Sequence, residues 1–300
     1  MMIRPSTSSR RAAGYRRLRR AFFVINSLLL TLTAPLTLAA TGHPTIVSLT
    51  FDDGLMQSAA IAPLLDTGLK ATFYINSNAI RPSGSPDNND FLTKQELDTL
   101  FYRGYDIGGH TIDHVDLATL SETAQRRAIC DDLKTLRQWY GEAVYSFAYP
   151  FASTGPATRD IVAGGCPGTY GPLHRPLGKY ESARSVGASG DCSTCPPAEA
   201  LPPSDPYFLY SNDSVIATDS LATLQRHVTT AEAHGGWVTL VFHKVCDDCD
   251  LYSVKQDTLV RFLFWLKGRA ARGTAVRTIH QVMVGDYPGA APTAAPSARP

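Results

Sequence analysis

Beyond residue 40 this 300-residue sequence has no apolar run long enough to cross a bilayer, no cluster of basic residues and no internal repeat. The first lack excludes further membrane spans, since a spanning helix needs about 20 largely apolar residues. The second leaves little to neutralise a phosphate backbone, which argues against nucleic acid as a partner. The third excludes solenoids and propellers. Charge is also scarce, at 18% of residues with a formal net charge of +1. Much of the positive charge sits early, at Arg10, Arg11, Arg16, Arg17, Arg19 and Arg20, so the rest of the chain is acidic. A hydrophobic content of 44% is ordinary for a globular protein, enough for one large domain or two small ones.

Residues 1–40 read as an export signal. A basic stretch ending at Arg20 is followed by an apolar run from Ala21 to Leu38, and the small residues Thr37, Ala39 and Ala40 suit a signal peptidase. The competing reading is a membrane anchor, against which Asn26, Ser27 and several threonines dilute the run. Cleavage would leave no stable membrane span and place the protein outside the cytoplasm, secreted or in the cell wall. The six cysteines agree with that compartment: Cys130, Cys166, Cys192, Cys195, Cys246 and Cys249. Cys192/Cys195 and Cys246/Cys249 are two C-x-x-C pairs, readable as disulfides or as a four-cysteine zinc site, and export favours disulfides. Cys130 with Cys166 is the simplest remaining pair.

Short runs rich in β-branched and aromatic residues predict strands at 45–51, 71–75, 105–109, 144–149, 180–186, 237–243 and 274–279. Helical patterns fall between them at 56–66, 93–102, 121–140, 221–234 and 254–272. Thr93 with Glu96 three residues later forms a capping-box pattern, and Ser121 is a second candidate cap. Strands alternating with helices imply a parallel sheet with crossover helices, in one α/β domain over residues 41–284, most simply a barrel. Residues 187–206, rich in Gly, Pro, Ser and Cys, read as a stapled loop, and 285–300 as a disordered Pro/Ala-rich tail.

The residues able to do chemistry fall at strand ends. Asp52 and Asp53 close the first strand in Thr50-Phe51-Asp52-Asp53-Gly54, and His110 closes the third in His110-Thr111-Ile112-Asp113-His114. His243 closes the strong late strand. Working groups of barrel enzymes gather at the carboxyl ends of strands. A His-x-x-x-His pair can present both rings to one ion, and two imidazoles plus one carboxylate form a hydrolytic metal site with open positions. A second adjacent carboxylate supplies a base. Two aspartates closing a buried strand are costly unless paired or metal-bound. His43, His174, His227, His234 and His280 lack such a setting and read as surface or packed histidines.

From Thr45 to Met283 the chain resembles the polysaccharide deacetylase family, the carbohydrate esterases (family 4) with a NodB-homology domain. Thr50–Gly54 resembles the family's first motif, and His110–His114 its His-Ser/Thr-x-x-His motif. Leu240-Val241-Phe242-His243 resembles the late Leu-x-His motif with one residue added. The resemblance implies a distorted (β/α) barrel with fewer than eight regular strands. It implies that Asp53, His110 and His114 hold a divalent metal, usually Zn2+ and sometimes Co2+ or Ni2+. Asp52 would be the general base and His243 the general acid, with Thr111 positioning the loop. The substrate class it implies is an acetylated polysaccharide.

Two departures stand out. Where the family reads Arg-x-Pro-Tyr, this chain has Ala148-Tyr149-Pro150-Phe151, so alanine replaces the arginine that braces the catalytic aspartate. The backbone N–H of Phe151 remains an oxyanion donor by analogy, with Tyr149 and Phe151 as candidate groove residues or core packing. The Asp-x-x-Asp-Trp motif that orients the acid histidine is missing, with Asp205 and Asp213 candidates by position alone. Two rival readings follow: a hydrolase of small cyclic amides on the same scaffold, and an inactive glycan-binding protein.

Overall fold

The computed structural model describes residues 44–55, 68–86, 90–171, 175–190 and 193–290. The expected export signal, the helix at 56–66, His43, His174 and Cys192 lie outside the described residues. So does the tail from 291 onward.

The domain is a distorted (β/α) barrel. Strand β1 (Thr45–Phe51) is buried along its whole length, as expected of a parallel strand covered on both faces. It pairs in parallel with β7 (Gly236–Phe242) over all seven residues. Its other edge is shared: β10 (Thr274–Val276) takes residues 45–47, and β2 (Ala71–Ile75) takes residues 49–51. From β2 the sheet continues through β3 (Asp106–Gly109), β4 (Val144–Ala148), β5 (Ser182–Ala188) and β6 (Leu209–Ser211). The loop after β6 returns to β7, where Asn212 N donates to Thr239 O at 3.0 Å and Val215 N to Val241 O at 2.9 Å. Two isolated bonds in place of a ladder make the closure distorted.

The helices are α1 (Lys94–Tyr102), α2 (Glu122–Tyr140), α3 (Pro156–Gly164), α4 (Leu221–His234), α5 (Gln256–Gly268) and the short α6 (Ile279–Met283). The Thr93–Glu96 capping box forms, with Thr93 N donating to Glu96 Oε2 at 2.7 Å and Glu96 N to Thr93 Oγ1 at 3.3 Å. Ser121 caps α2. The predicted strand at 274–279 stops at Val276, because Thr278 starts α6 with its own capping box. Helix α3, the three-residue β6 and the small β8 (Lys244–Val245)/β9 (Ser253–Val254) pair were not expected from the sequence pattern. The folded part reaches past 284: Asp286 N donates to Gln281 O at 2.8 Å, and Arg277 Nε to Asp286 O at 2.7 Å.

The core is continuous from β1 outward. Phe51 stacks on Phe73 of β2 and on Phe242 of β7, with ring centroids 5.2 Å apart in both pairs. Fully burying one such ring contributes about 1.5–3 kcal/mol. This triple stack fixes the end of β1, and Asp52 is the next residue. Cys130 of α2 and Cys166 after α3 are disulfide-bonded with Cα atoms 5.6 Å apart. Cys246 pairs with Cys249, Cα atoms 5.9 Å apart, which removes two ligands from any four-cysteine zinc site. Cys195 is also disulfide-bonded. Among the described residues, no helix is long and apolar enough to cross a membrane.

Candidate metal centre

Asp52 and Asp53 follow β1, His110 follows β3 and His243 follows β7, so parallel register delivers all four to the same end of the barrel. Asp53, His110 and His114 each offer one ligand atom, and these atoms all lie within 4.8 Å of one another. The shared point is Asp53 Oδ1, 3.3 Å from His110 Nε2 and 3.2 Å from His114 Nε2. Among the described residues these three are the one group of His, Cys, Asp and Glu with such spacing.

The backbone pays for this convergence in strain. Seven described non-glycine residues have positive φ, and five of them surround this site: Asp53 (71°), Thr111 (63°), His114 (52°), Phe151 (55°) and Ala152 (55°). Aspartate and histidine tolerate the left-handed region, but threonine and phenylalanine there are outliers. Such residues cost about 1–3 kcal/mol each and persist where the surroundings over-determine them. Buried Asn76 is part of that support, its Nδ2 donating to the carbonyls of His110 (2.5 Å) and Thr111 (3.2 Å). Asp132 is another. Fully buried in α2, it accepts from Ser77 N and His110 N, both at 3.0 Å. Gly109 leaves room for it, since a Cβ there would lie 2.9 Å from Asp132 Oδ2 and 2.8 Å from Tyr180 Cζ.

The hydrogen bonds define what the rings present. His110 Nδ1 lies 2.8 Å from the carbonyl of Ala148. A carbonyl only accepts, so Nδ1 carries a proton, and in the neutral ring Nε2 then turns its lone pair toward Asp53. Asp53 Oδ1 is buried and lacks a well-directed donor. Burial works against ionising Asp53, but contact with His110 and its charge, with those of His243 and His114, brings the carboxyl down to about 2. Burial also disfavours charge on His110, yet the contact with Asp53 and the fields of Asp52 and Asp53 raise its pKa. His114 is pushed down by desolvation and by the His110 charge. Two imidazole nitrogens beside a buried carboxylate oxygen that lacks a hydrogen bond are what a cation satisfies, and two nitrogens with one oxygen suit a borderline divalent ion. The residues therefore fit the metal.

Asp52 is 2% exposed, and its partner is Arg184 of β5, 0% exposed. Arg184 Nη2 donates to both carboxylate oxygens, at 2.7 and 2.5 Å, and Nη1 donates to Ser185 O at 2.9 Å. The guanidinium carbon sits 5.0 Å from the centre of the Tyr74 ring. Sequence reasoning missed this arginine. The available signal was a lone cation in the strand Ser182–Ala188, where burial demands an anion.

The remaining sequence candidates fall unevenly. His243 lines a cleft of about 450 Å³ with Asp53, His114, Asn76, Lys244 and Tyr252. Its Nδ1 is buried without a hydrogen-bond partner, so neither Asp205 nor Asp213 orients it by that atom. Asp205 instead pairs with Arg159 and accepts from Tyr207 N at 2.9 Å. Asp213 Oδ1 lies beside Gly187. Phe151 is 64% exposed, with its ring centroid 4.6 Å from that of His114. Tyr149 is a correction to the groove expectation: it is fully buried and its hydroxyl donates to Tyr207 O at 3.0 Å, so it packs in the core. Lys244 bridges Asp90 (3.0 Å) and Asp250 (3.3 Å) along the cleft.

The chain is similar to known proteins over part or most of its length. Residues 39–164 match the family described as polysaccharide deacetylase. The Bacillus subtilis (strain 168) protein YxkH, named for the same family, is 28% identical over 106 residues, 35% of this chain and 36% of the relative. The match thus spans about a third of that relative's length. A family 4 acetyl xylan esterase from Clostridium thermocellum, solved with a cobalt ion, superposes with a TM-score of 0.50 at 18% identity, covering 79% of this chain and 89% of its own. The peptidoglycan deacetylase PdaC from Bacillus subtilis gives a TM-score of 0.48 at 16% identity, covering 80% and 90%.

Proposed function

We propose that this chain, whose residues 39–164 match the polysaccharide deacetylase family, is an exported, metal-dependent hydrolase that removes acetyl groups, N-acetyl foremost, from a polysaccharide. The observation that carries the reading is the convergence of Asp53, His110 and His114 within 4.8 Å around a partnerless carboxylate oxygen. Zn2+ is the cation this donor set fits best, with Co2+ or Ni2+ as substitutes.

When bound, a divalent ion supplies Lewis acidity toward the acetyl carbonyl and toward water. The chain's own groups do the rest. Asp52, oriented by Arg184, accepts the proton of the attacking water. His243, lining the same cleft, donates a proton to the departing amine, which leaves poorly as an anion. Phe151, exposed beside His114, offers its ring to the substrate and its N–H to the developing oxyanion. The disulfides support export to an oxidising compartment, where secretion or attachment to the cell wall would bring enzyme and glycan together.

An inactive glycan-binding protein was the rival suggested by Ala148. The buried Arg184–Asp52 pair weighs against it, because the carboxylate keeps its guanidinium partner. The test is acetate release by zinc-loaded protein from chitin oligomers, peptidoglycan, poly-N-acetylglucosamine and acetylxylan, beside Asp52→Asn. The reading expects release that Asp52→Asn abolishes. Metal-loaded protein that releases none from any of the four contradicts it.

A further inference from the structure

We propose that Arg184 and Ala148 form a transposed pair. The guanidinium that positions Asp52 is carried by β5, one strand over from where the sequence motif places it, and residue 148 is small because that guanidinium fills its space. The kinetic part of this inference rests on the deacetylase reading above, and the structural part does not.

The register of the β4–β5 ladder makes Ala148 and Arg184 direct partners. Partners in a parallel ladder point their side chains to the same face, so the two positions look onto the same volume. Both residues are fully buried. Their backbones are also tied into the site. The Ala148 carbonyl takes the His110 proton at 2.8 Å, and the Arg184 carbonyl takes the Tyr149 N–H at 3.0 Å. Among the described residues Asp52 is the one carboxylate paired with the guanidinium there. A second arginine at 148 would therefore be a buried cation without a counter-charge, and losing the first would strand a buried anion. Either error is strongly destabilising.

Arg184 is a positioning residue, since it acts through Asp52 and does not line the cleft. Its Nη2 reaches both carboxylate oxygens while the Tyr74 ring and the Ser185 carbonyl hold the guanidinium, so the carboxylate has one orientation. Ammonium cannot reproduce that planar hold, so Arg184→Lys should restore charge but only part of the function.

The experiment is a four-protein cycle on zinc-loaded protein: wild type, Arg184→Ala, Ala148→Arg and Ala148→Arg/Arg184→Ala. Acetate release from chitin oligomers and acetylxylan, zinc stoichiometry and melting temperature are read on each. The proposal expects Arg184→Ala to lower kcat by about 10- to 100-fold, with KM and zinc content unchanged. Ala148→Arg alone should be impaired and should melt earlier. The double variant should regain both turnover and melting temperature relative to either single, a coupling of opposite sign to additivity. Arg184→Met, which keeps the stem without the charge, stands in if the alanine variant does not fold. Wild-type turnover in Arg184→Ala, or a double variant no better than its worse parent in rate and stability, overturns the proposal. If the wild type releases no acetate, the functional reading fails, while the melting temperatures of the cycle still decide the transposition.

Discussion

The Nδ1 of His110 lies 2.8 Å from the carbonyl oxygen of Ala148, so a backbone group at the motif's altered position fixes which nitrogen His110 turns toward Asp53. A side-chain change at 148 leaves that carbonyl in place. The site thus separates two tasks at one residue: the backbone of position 148 holds the Nδ1 of a candidate ligand, and the side chain that braces Asp52 comes from elsewhere.

Removing a ligand should remove the metal. His110→Gln and Asp53→Asn are expected to lose stoichiometric zinc after dialysis against a weak chelator, while the wild type keeps one ion per chain. Metal analysis by mass spectrometry checks this. Retention of a full equivalent by both variants would place the ion elsewhere.

Asp132 supports the site from beneath, taking the N–H groups of Ser77 and His110. Asp132→Ala strands the buried Ser77 N–H, worth about 1–3 kcal/mol when unsatisfied, and leaves the His110 N–H only the carbonyl of Ile75 at 3.1 Å. It should therefore lower the melting temperature and weaken zinc binding by about 10- to 100-fold. Calorimetric zinc titration beside thermal melts is the check, and unchanged affinity would confine Asp132 to stability.

The opposite end of the barrel carries a pH effect. Burial raises the pKa of Asp106 above its ordinary 3.8, against the hydrogen bonds from Thr278 and the N–H of His280 and the nearby His280 charge, with Glu181 adding to the rise. An acid whose folded pKa is raised favours the fold while protonated. Its contribution is complete below 3.8 and is lost as pH climbs through the raised value. The wild type should therefore lose stability relative to Asp106→Asn as pH rises from 3.8 through the raised value. Melting temperatures of the two proteins across that range read the difference directly, and a constant or growing wild-type advantage would contradict the assignment.

The Cys130–Cys166 bond closes a sequence separation of 36 residues between α2 and the end of α3. Cys130→Ala/Cys166→Ala should cost about 2–4 kcal/mol by releasing the unfolded chain. Denaturant unfolding measures it. A change under about 0.5 kcal/mol would show that the packing of α2 on α3 holds without the bond.

The legible parts of this protein were those set by local chemistry. The capping box at Thr93–Glu96, the cap at Ser121 and the largely apolar β1 and β7 are each written in a few adjacent residues, and each formed. The grouping of Asp53 with His110 and His114 was legible because barrel topology sends strand ends to one place. What stayed hidden depends on pairing between distant segments. Ala148 reads as a lost function until β5 is laid beside β4 in register. Tyr149 reads equally as a groove or a core residue until its hydroxyl finds Tyr207 O. Strand β6, three residues long, has too few positions to show a period.

The claim on which the rest depends is that Asp53, His110 and His114 share one cation. X-ray absorption at the zinc edge on the loaded protein tests it most directly. The account predicts two nitrogen ligands at about 2.0–2.1 Å and oxygen ligands at about 2.0–2.2 Å, with the histidine signal lost in His110→Gln. Sulfur ligands at about 2.3 Å, or a zinc environment indifferent to His110→Gln, would contradict it.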